Sequence, residues 1–391
     1  MQENVIISHR GARYEIGRGQ GFYGIWPAGR PESERFEWWP ETPEGWNGAW
    51  SRFTGLEAPG AIVPVGQQPA PPVGLRMRAV IAAVLAIGVG CGIAGLFPGY
   101  LAGASLAQQP AEFVPHAIYL AAWGASALLI LLGGARLRAG ALLGIGTSIV
   151  TFGLFFADVG IAIAGGAHLV GAGLMLGLAG WLGGAVGSAM AFRLGRAGAP
   201  GRPHGHEAGL TLTLAVLAAL GAAAAFAPSW DSFTLRTAAG VTQSLTAGNA
   251  FANPAPVIAG DVAVMVALVA VVVAAALWRP FRHGAALLAG AIIPMAAQAI
   301  SALVQAGQGT SPLQFGISRA QAAQAGLTIS SGLTPAFWVY CVFVAALMLT
   351  WLRMLLTPAP PPGPPAPVPP ALPPHRSAMP DAAPPATSTS S

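Results

Sequence analysis

Eight apolar segments, each close to the length of a bilayer crossing, constrain the fold of this chain more than any other feature. The hydrocarbon core of a membrane is about 30 Å thick and requires roughly 20 apolar residues of α-helix. Such segments run over residues 79–101, 117–134, 139–157, 167–192, 210–228, 257–277, 284–304 and 336–352. The pattern predicts an all-α transmembrane bundle of about eight helices within residues 77–356.

The composition of the chain leads to the same expectation. Hydrophobic residues make up 54% of the 391 residues and charged residues only 8%. Soluble domains carry about 25% charged residues, so the lipid bilayer is the predicted partner. The net charge of +5 does not indicate a nucleic-acid partner, because most arginines outside the N-terminal region flank apolar segments.

The arginines between the apolar segments predict the orientation of the bundle. One alternate set of connections carries ten arginines, whereas the opposite set carries Arg236 and Arg319. The ten are Arg76, Arg78, Arg136, Arg138, Arg193, Arg196, Arg202, Arg279, Arg282 and Arg353. Because arginine is enriched in cytoplasmic loops, we expect both termini in the cytoplasm and the protein in the plasma (inner) membrane. The first apolar segment lies too far along the chain for a cleavable signal peptide and predicts an uncleaved anchor.

Residues 1–57 differ from the rest of the chain and predict a small cytoplasmic head. They contain eight of the 14 acidic residues and five of the 11 tryptophans. Short aromatic segments between Gly- and Pro-rich stretches are typical of strands, so the head is predicted to be mainly β. These segments are 12–16, 21–26 and 35–39. Trp38, Trp39 and Trp46 are the candidate residues for binding a partner.

Two segments of biased composition flank the bundle. Residues 58–76 are rich in Pro, Gly and Gln and predict a flexible linker. Residues 357–391 include 11 prolines between Pro358 and Pro374 and predict a disordered, Pro-rich cytoplasmic tail. The tail, like the head, is a candidate for binding a cytoplasmic protein.

The head carries two aromatic motifs, Gly-Gln-Gly-Phe-Tyr-Gly-Ile-Trp at 19–26 and Trp-Pro-Glu-Thr-Pro-Glu-Gly-Trp at 39–46. With many apolar segments after them, they make the chain resemble uncharacterised multi-pass membrane proteins of high-GC bacteria that have an aromatic-rich N-terminal cytoplasmic segment. The resemblance covers the chain loosely. It implies a membrane location and brings no activity and no functional residue.

Glycines recur on one face of two predicted helices. The fourth apolar segment carries Gly173, Gly177, Gly180, Gly184 and Gly187 at alternating steps of four and three, and the first carries a similar series from Gly88. Small residues of this kind let helix backbones approach closely in membranes. We favour packing within one chain, and the alternative is the seam of a homo-oligomer.

Few polar residues lie within the apolar segments, and each needs a reason because burial in lipid is costly. The candidates are Asp158, His168, Asp261, Gln298 and Ser301. Asp158 is predicted to close the third helix and His168 to open the fourth, where the two interact across a short, solvated connection. Asp261 lies near a helix N-terminus, and Gln298 and Ser301 are predicted to hydrogen-bond between helices.

No enzyme motif is present in the sequence, which predicts a protein without catalytic residues, metal or cofactor. Cys91 and Cys341 lie in apolar segments and suggest neither a disulfide framework nor a metal site. His204 and His206 are too few to predict a metal site and are interpreted as part of a solvated loop.

Two classes of function remain after these exclusions. We favour a non-enzymatic scaffold or interaction protein, because the polar residues cluster towards one side of the membrane and carrier sites usually lie near the midplane. The alternative is a transporter or ion-coupled carrier with a polar path along the third, fourth, sixth and seventh membrane helices.

Overall fold

The computed structural model describes residues 5–29, 35–57, 61–65, 74–194, 206–278, 281–308, 310, 315 and 317–357. The described residues fall into two compact units, one within Met1–Pro71 and the other within Pro72–Ala359. The predicted Pro-rich tail beyond Thr357 and most of the predicted linker lie outside the described residues, as do His204 and the side chain of His206.

The N-terminal unit, here called the head, contains a five-stranded antiparallel sheet. Its strands are β1 (Ile6–Arg10), β2 (Tyr14–Gly19), β3 (Phe22–Pro27), β4 (Glu37–Pro40) and β5 (Val63–Pro64). The order in the sheet is β4-β3-β2-β1-β5, so consecutive strands from β1 to β4 are neighbours. The β character predicted for the head is therefore observed, with β2, β3 and β4 close to the three predicted segments.

A helix in the head was not predicted from the sequence. Helix α1 (Pro43–Leu56) begins at Thr42, whose hydroxyl accepts a 3.0 Å hydrogen bond from the Gly45 amide. Its buried face carries Trp46 and Phe53, which pack on the sheet around Ile25. Trp46 and Phe53 are seven residues apart, the spacing of one helix face, and this signal could have identified the helix.

Glu57, directly after α1, connects this helix to the sheet by hydrogen bonds. Its carboxylate is buried and accepts hydrogen bonds from the backbone amides of Ala12 (2.8 Å), Arg13 (2.8 Å) and Tyr14 (2.7 Å). Burial raises the pKa of this carboxyl, but the three hydrogen bonds outweigh burial and bring the pKa below its ordinary value of 4.5. The head is therefore most stable with Glu57 ionised.

We expect Glu57→Gln to destabilise the head by about 2 kcal/mol, because an amide cannot accept all three hydrogen bonds as strongly as a carboxylate. Hydrogen exchange of the full chain should show amides near Tyr14 exchanging about 30-fold faster at neutral pH. The wild type should lose the same protection only as the pH falls through the lowered pKa of Glu57. The exposed Glu44 offers a control, and equal effects of Glu44→Gln and Glu57→Gln would contradict this account.

Among the described residues of the second unit, eight helices are long and apolar enough to cross a membrane, so the chain is a multi-pass membrane protein. They are α2 (Leu75–Gly95), α3 (Pro110–Leu132), α4 (Ala135–Gly165), α5 (Ala172–Leu194), α6 (His206–Phe226), α7 (Ala255–Leu277), α8 (Phe281–Gly307) and α10 (Pro335–Leu356). The predicted eight-helix bundle is thus confirmed.

Helix α4 is the centre of the bundle. It contacts α3 and α5 on one side and α7 and α8 on the other. One apolar core lies among α2, α3, α4 and α5, and a second lies among α4, α6, α7, α8 and α10.

The connections between helices divide between two ends of the bundle. The α2–α3, α4–α5, α6–α7 and α8–α10 connections form what we call the loop end, and the opposite ends of these helices, which include the α3–α4 turn, form the arginine end. The α3–α4 turn consists of Gly133 and Gly134, whose φ values of 74° and 60° favour glycine. At this end Arg78 donates a 3.0 Å hydrogen bond to the Leu131 carbonyl.

Strands organise the loop end. The α2–α3 connection forms a hairpin of β6 (Gly99–Leu101) and β7 (Ala104–Ser105). The α6–α7 and α8–α10 connections share a three-stranded antiparallel sheet in the order β10-β8-β9. Its strands are β8 (Asp231–Arg236), β9 (Thr242–Thr246) and β10 (Thr328–Leu333), and the short helix α9 (Arg319–Gln324) precedes β10.

Four helix boundaries near the loop end differ clearly from the predicted ones, and the first is the start of α3 at Pro110 instead of residue 117. Helix α4 continues to Gly165, so Asp158 lies about two turns before its end and does not close it. His168 is exposed in a 3-10 turn before α5 and does not open that helix. Helix α2 ends at Gly95, and the last residues of the first predicted segment form β6.

The predicted glycine faces of α2 and α5 lie against each other. A Cβ atom on Gly88 would lie 2.9 Å from the Gly180 carbonyl oxygen and 2.9 Å from the Gly184 amide nitrogen. Gly95 makes the equivalent approach to Gly173 and Gly177, at 3.0 Å and 3.1 Å. Glycine is therefore used here for close packing within one chain.

Candidate functional site

A cavity of about 260 Å³ lies beside α4, within the apolar core formed mainly by α2, α3, α4 and α5. Helices α2, α3, α4 and α5 form most of its wall, and α6, α7 and α8 each contribute one residue: Phe226, Asp261 and Gln298. We call the part lined by Glu112 its mouth and the part lined by Trp123 and Trp181 its floor. The mouth is at the loop end, because Glu112 lies in the first turn of α3.

Three carboxylates from three helices line this cavity: Glu112 of α3, Asp158 of α4 and Asp261 of α7. Residues 77–356 contain only two other carboxylates, Glu207 and Asp231. Most of the acidic side chains of the bundle therefore meet at one place. None of the described residues that line the cavity is an arginine, and the one basic side chain among them is that of His116.

Asp158 and Tyr100 form the central polar contact of the cavity. The Tyr100 hydroxyl donates a 2.8 Å hydrogen bond to the Asp158 carboxylate. Tyr100 is held in place by the backbone of β6, because its carbonyl accepts a 3.0 Å bond from the Gly171 amide. The α2–α3 and α4–α5 connections thus jointly orient the hydroxyl that contacts Asp158.

His116 lies one turn after Glu112 on α3 and is half-buried in the cavity wall. Its Nδ1 lies 2.7 Å from the Glu112 carbonyl oxygen, which can only accept, so Nδ1 carries a hydrogen. Nε2 is then the nitrogen available to gain or lose a proton. The rings of Tyr100 and Tyr119 pack against the imidazole, with centroids at 5.5 Å and 5.8 Å.

Polar residues of α8 fix α3 against this site. The Gln298 amide donates a 2.7 Å hydrogen bond to the Tyr119 hydroxyl, and the Ser301 hydroxyl donates a 2.6 Å bond to the Ala111 carbonyl. Both residues thus make the interhelical bonds that the sequence suggested for them. Gln298 also lines the cavity, so its amide is within the site as well as part of the packing.

The predicted polar residues are therefore only partly brought together. Asp158, Asp261 and Gln298 line the same cavity, and Ser301 lies just outside it. His168 is not among the described residues that line it, and the predicted pairing with Asp158 is wrong, since Asp158 bonds to Tyr100 instead. The reason is the continuation of α4 to Gly165, about 10 Å along the helix axis beyond Asp158.

Sequence reasoning missed Tyr100, Glu112, His116 and Tyr119. The last three lie at i, i+4 and i+7 on α3, the spacing of one helix face, and that pattern was available in the sequence. Glu112 and His116 precede the predicted start of the second segment at residue 117 and were therefore not counted as intramembrane residues.

The tryptophans predicted to bind a partner occupy different positions in the head. Trp46 is 1% exposed in the head core and is not available to a partner without unfolding. Trp39 is half-buried, and only Trp38 is well exposed, at 59%, on the edge strand β4.

Among the described residues, no group of three or more His, Cys, Asp or Glu side chains is arranged to hold a metal ion. A scan against protein-family models, a search of curated proteins and a search of solved structures each found no match to this chain.

Proposed function

We propose that this protein is a membrane carrier that binds a small cation in the cavity beside α4. The observation that carries the proposal is the meeting of Glu112, Asp158 and Asp261 in one cavity without an arginine among its described lining residues. Carboxylates that line one cavity within a membrane protein attract a cation or protons, because an unpaired negative charge is costly there.

The extent of the cavity also supports a carrier. Glu112 and Trp123 both line it and are 11 residues apart on α3, a distance of about 16 Å along the helix. The cavity thus extends to about half the thickness of a bilayer core, where carriers bind their substrates. This depth favours a carrier over the scaffold preferred from sequence, although the titratable groups of the cavity lie towards the loop end.

The experiment is to record charge movement in proteoliposomes on a solid-supported membrane. The purified full chain is exposed to concentration jumps of Na⁺, K⁺, H⁺, tetramethylammonium and benzyltrimethylammonium. We expect a transient current with at least one of these cations, larger than in protein-free liposomes. Currents indistinguishable from those of protein-free liposomes for the whole panel would contradict a cation carrier.

The orientation of the bundle belongs to the same proposal. The arginine distribution supports a loop end that faces outwards and cytoplasmic termini in the plasma membrane. In a chain with Cys91 and Cys341 replaced by alanine, single cysteines at Val241 and Gly307 should react with a membrane-impermeant thiol reagent on intact cells. A cysteine at Gly201 should react only after permeabilisation, and its labelling on intact cells would reverse the orientation.

A second candidate function is the scaffold, which is favoured by the head. Trp38 and Phe36 are 59% and 46% exposed on or beside the edge strand β4, and exposed aromatic residues are frequent in protein interfaces. Crosslinking in native membranes followed by affinity purification tests it, with Trp38→Ser as the control. A partner that is lost with this substitution would support the scaffold, and recovery of the same proteins by both chains would count against it.

A further inference from the structure

The cavity has two chemically different parts. Its titratable side chains lie towards the mouth: Glu112, His116, Asp158 and Asp261, with Tyr100 and Tyr119 beside them. Its deeper part is lined by Trp123, Trp181 and Thr151, and Thr151 lies about 10 Å along α4 from Asp158. A ligand that fills the cavity therefore meets negative charge at one end and aromatic surface at the other.

The two floor tryptophans present carbon surface to this space and not their N–H groups. The indole nitrogen of Trp123 donates a 3.0 Å hydrogen bond to the Ser148 hydroxyl, and that of Trp181 donates a 3.0 Å bond to the Ser148 carbonyl. The single hydrogen-bond donor of each ring is thus bonded to Ser148 of α4. The rest of each ring is aromatic carbon, so the part of each tryptophan that lines the cavity attracts apolar groups and alkylated cations.

The cavity is larger than a dehydrated inorganic ion, and its described side chains do not form the compact set of ligands that such an ion needs. A volume of about 260 Å³ is several times that of a single water molecule, which occupies ~30 Å³ in the liquid. Divalent cations are held by several oxygen ligands in a compact shell, and the described residues contain no such group of side chains. An inorganic ion would also leave the aromatic floor without a role.

We infer that the cation bound in this cavity is an organic ammonium ion with an apolar substituent. This inference rests on the proposed function and specifies its substrate class. The ammonium group lies among the carboxylates of Glu112, Asp158 and Asp261, and the substituent lies against the rings of Trp123 and Trp181. The charged half of the ligand then leaves water for a negatively charged surface, and the apolar half leaves water for an aromatic surface.

The test is equilibrium dialysis of radiolabelled benzyltrimethylammonium against the full chain in lipid nanodiscs, with empty nanodiscs as background. We expect saturable binding of one ion per chain. Neopentylbenzene has the same shape without the charge, and it should compete at least about tenfold more weakly than unlabelled benzyltrimethylammonium. Equal competition by the neutral compound would overturn the inference.

Two substitutions of Trp181 distinguish the contribution of its aromatic ring to binding from that of its N–H hydrogen bond. Trp181→Phe keeps an aromatic ring and removes the N–H, so it should bind within about twofold of the wild type, whereas Trp181→Leu should bind about fivefold more weakly. Trp338→Leu, at a 57% exposed position of α10, is the matched control and should bind like the wild type. A loss with Trp181→Phe as large as with Trp181→Leu would overturn the role of the ring.

The charge-movement experiment distinguishes failure of this inference from failure of the carrier proposal. Currents with Na⁺, K⁺ or H⁺ and none with benzyltrimethylammonium would leave a cation carrier in place and overturn the organic substrate class. Absence of current with every cation, together with absence of saturable binding, would overturn both.

Discussion

Asp158→Asn is expected to abolish the cation-dependent current and to weaken cation binding by at least about 30-fold. Removing one partner of a desolvated charge pair costs about 2–5 kcal/mol of binding, which corresponds to that factor or more. Asparagine has nearly the same size, and its carbonyl oxygen can still accept the hydrogen bond from Tyr100 that is seen at 2.8 Å. The substitution therefore removes charge from the centre of the cavity with little change in packing.

Asp231→Asn provides the matched control. Asp231 lies in β8 at the same end of the bundle, and it is not among the described residues that line the cavity. Loss of its charge changes the general electrostatics of the loop end by the same amount, so this variant should keep at least about half of the wild-type current. Equal losses in the two variants would show that net charge at this end, and not the cavity, is responsible.

The sequence predicts the membrane helices well because their signal is local and strong. Twenty apolar residues in a row have few other structures available, and the approach of α2 to α5 follows from glycines that repeat on one face of each. The head was predicted less completely. Its strands follow from aromatic segments between turns, but α1 was missed, since the spacing of Trp46 and Phe53 was not used and Trp46 was interpreted as a candidate for binding a partner.

The candidate site could be predicted only in part because it depends on where helices end. Asp158 and Asp261 were identified as candidate polar residues near the ends of their helices. Their meeting with Glu112 depends on α4 continuing to Gly165 and on α7 packing against α4, neither of which is encoded in local hydropathy. Tyr100 reaches Asp158 because α2 ends early and the chain continues into β6. The hydropathy of the first apolar segment does not predict this turn.

Gly88→Leu is expected to have the largest effect on the fold. A Cβ atom at this position would lie 2.9 Å from two backbone atoms of α5, closer than side chains normally approach, and leucine adds three more carbon atoms beyond it. Backbone atoms cannot move aside as a flexible side chain can, so α2 and α5 must separate. We expect a fall of about 10 °C or more in the unfolding temperature, or no recovery of folded protein.

Gly90→Leu adds the same side chain to the same helix two residues later, and it isolates the packing effect. A Cβ atom on Gly90 meets no other atom within 4 Å, and the residue is exposed on the bundle surface. Apolarity and helix propensity change equally in the two variants, so any difference between them comes from the contact with α5. Light scattering after size-exclusion chromatography adds a second readout. If the glycine face were instead the seam of a homo-oligomer, Gly88→Leu would yield a folded, thermally stable monomer, and that result would contradict packing of these glycines within one chain.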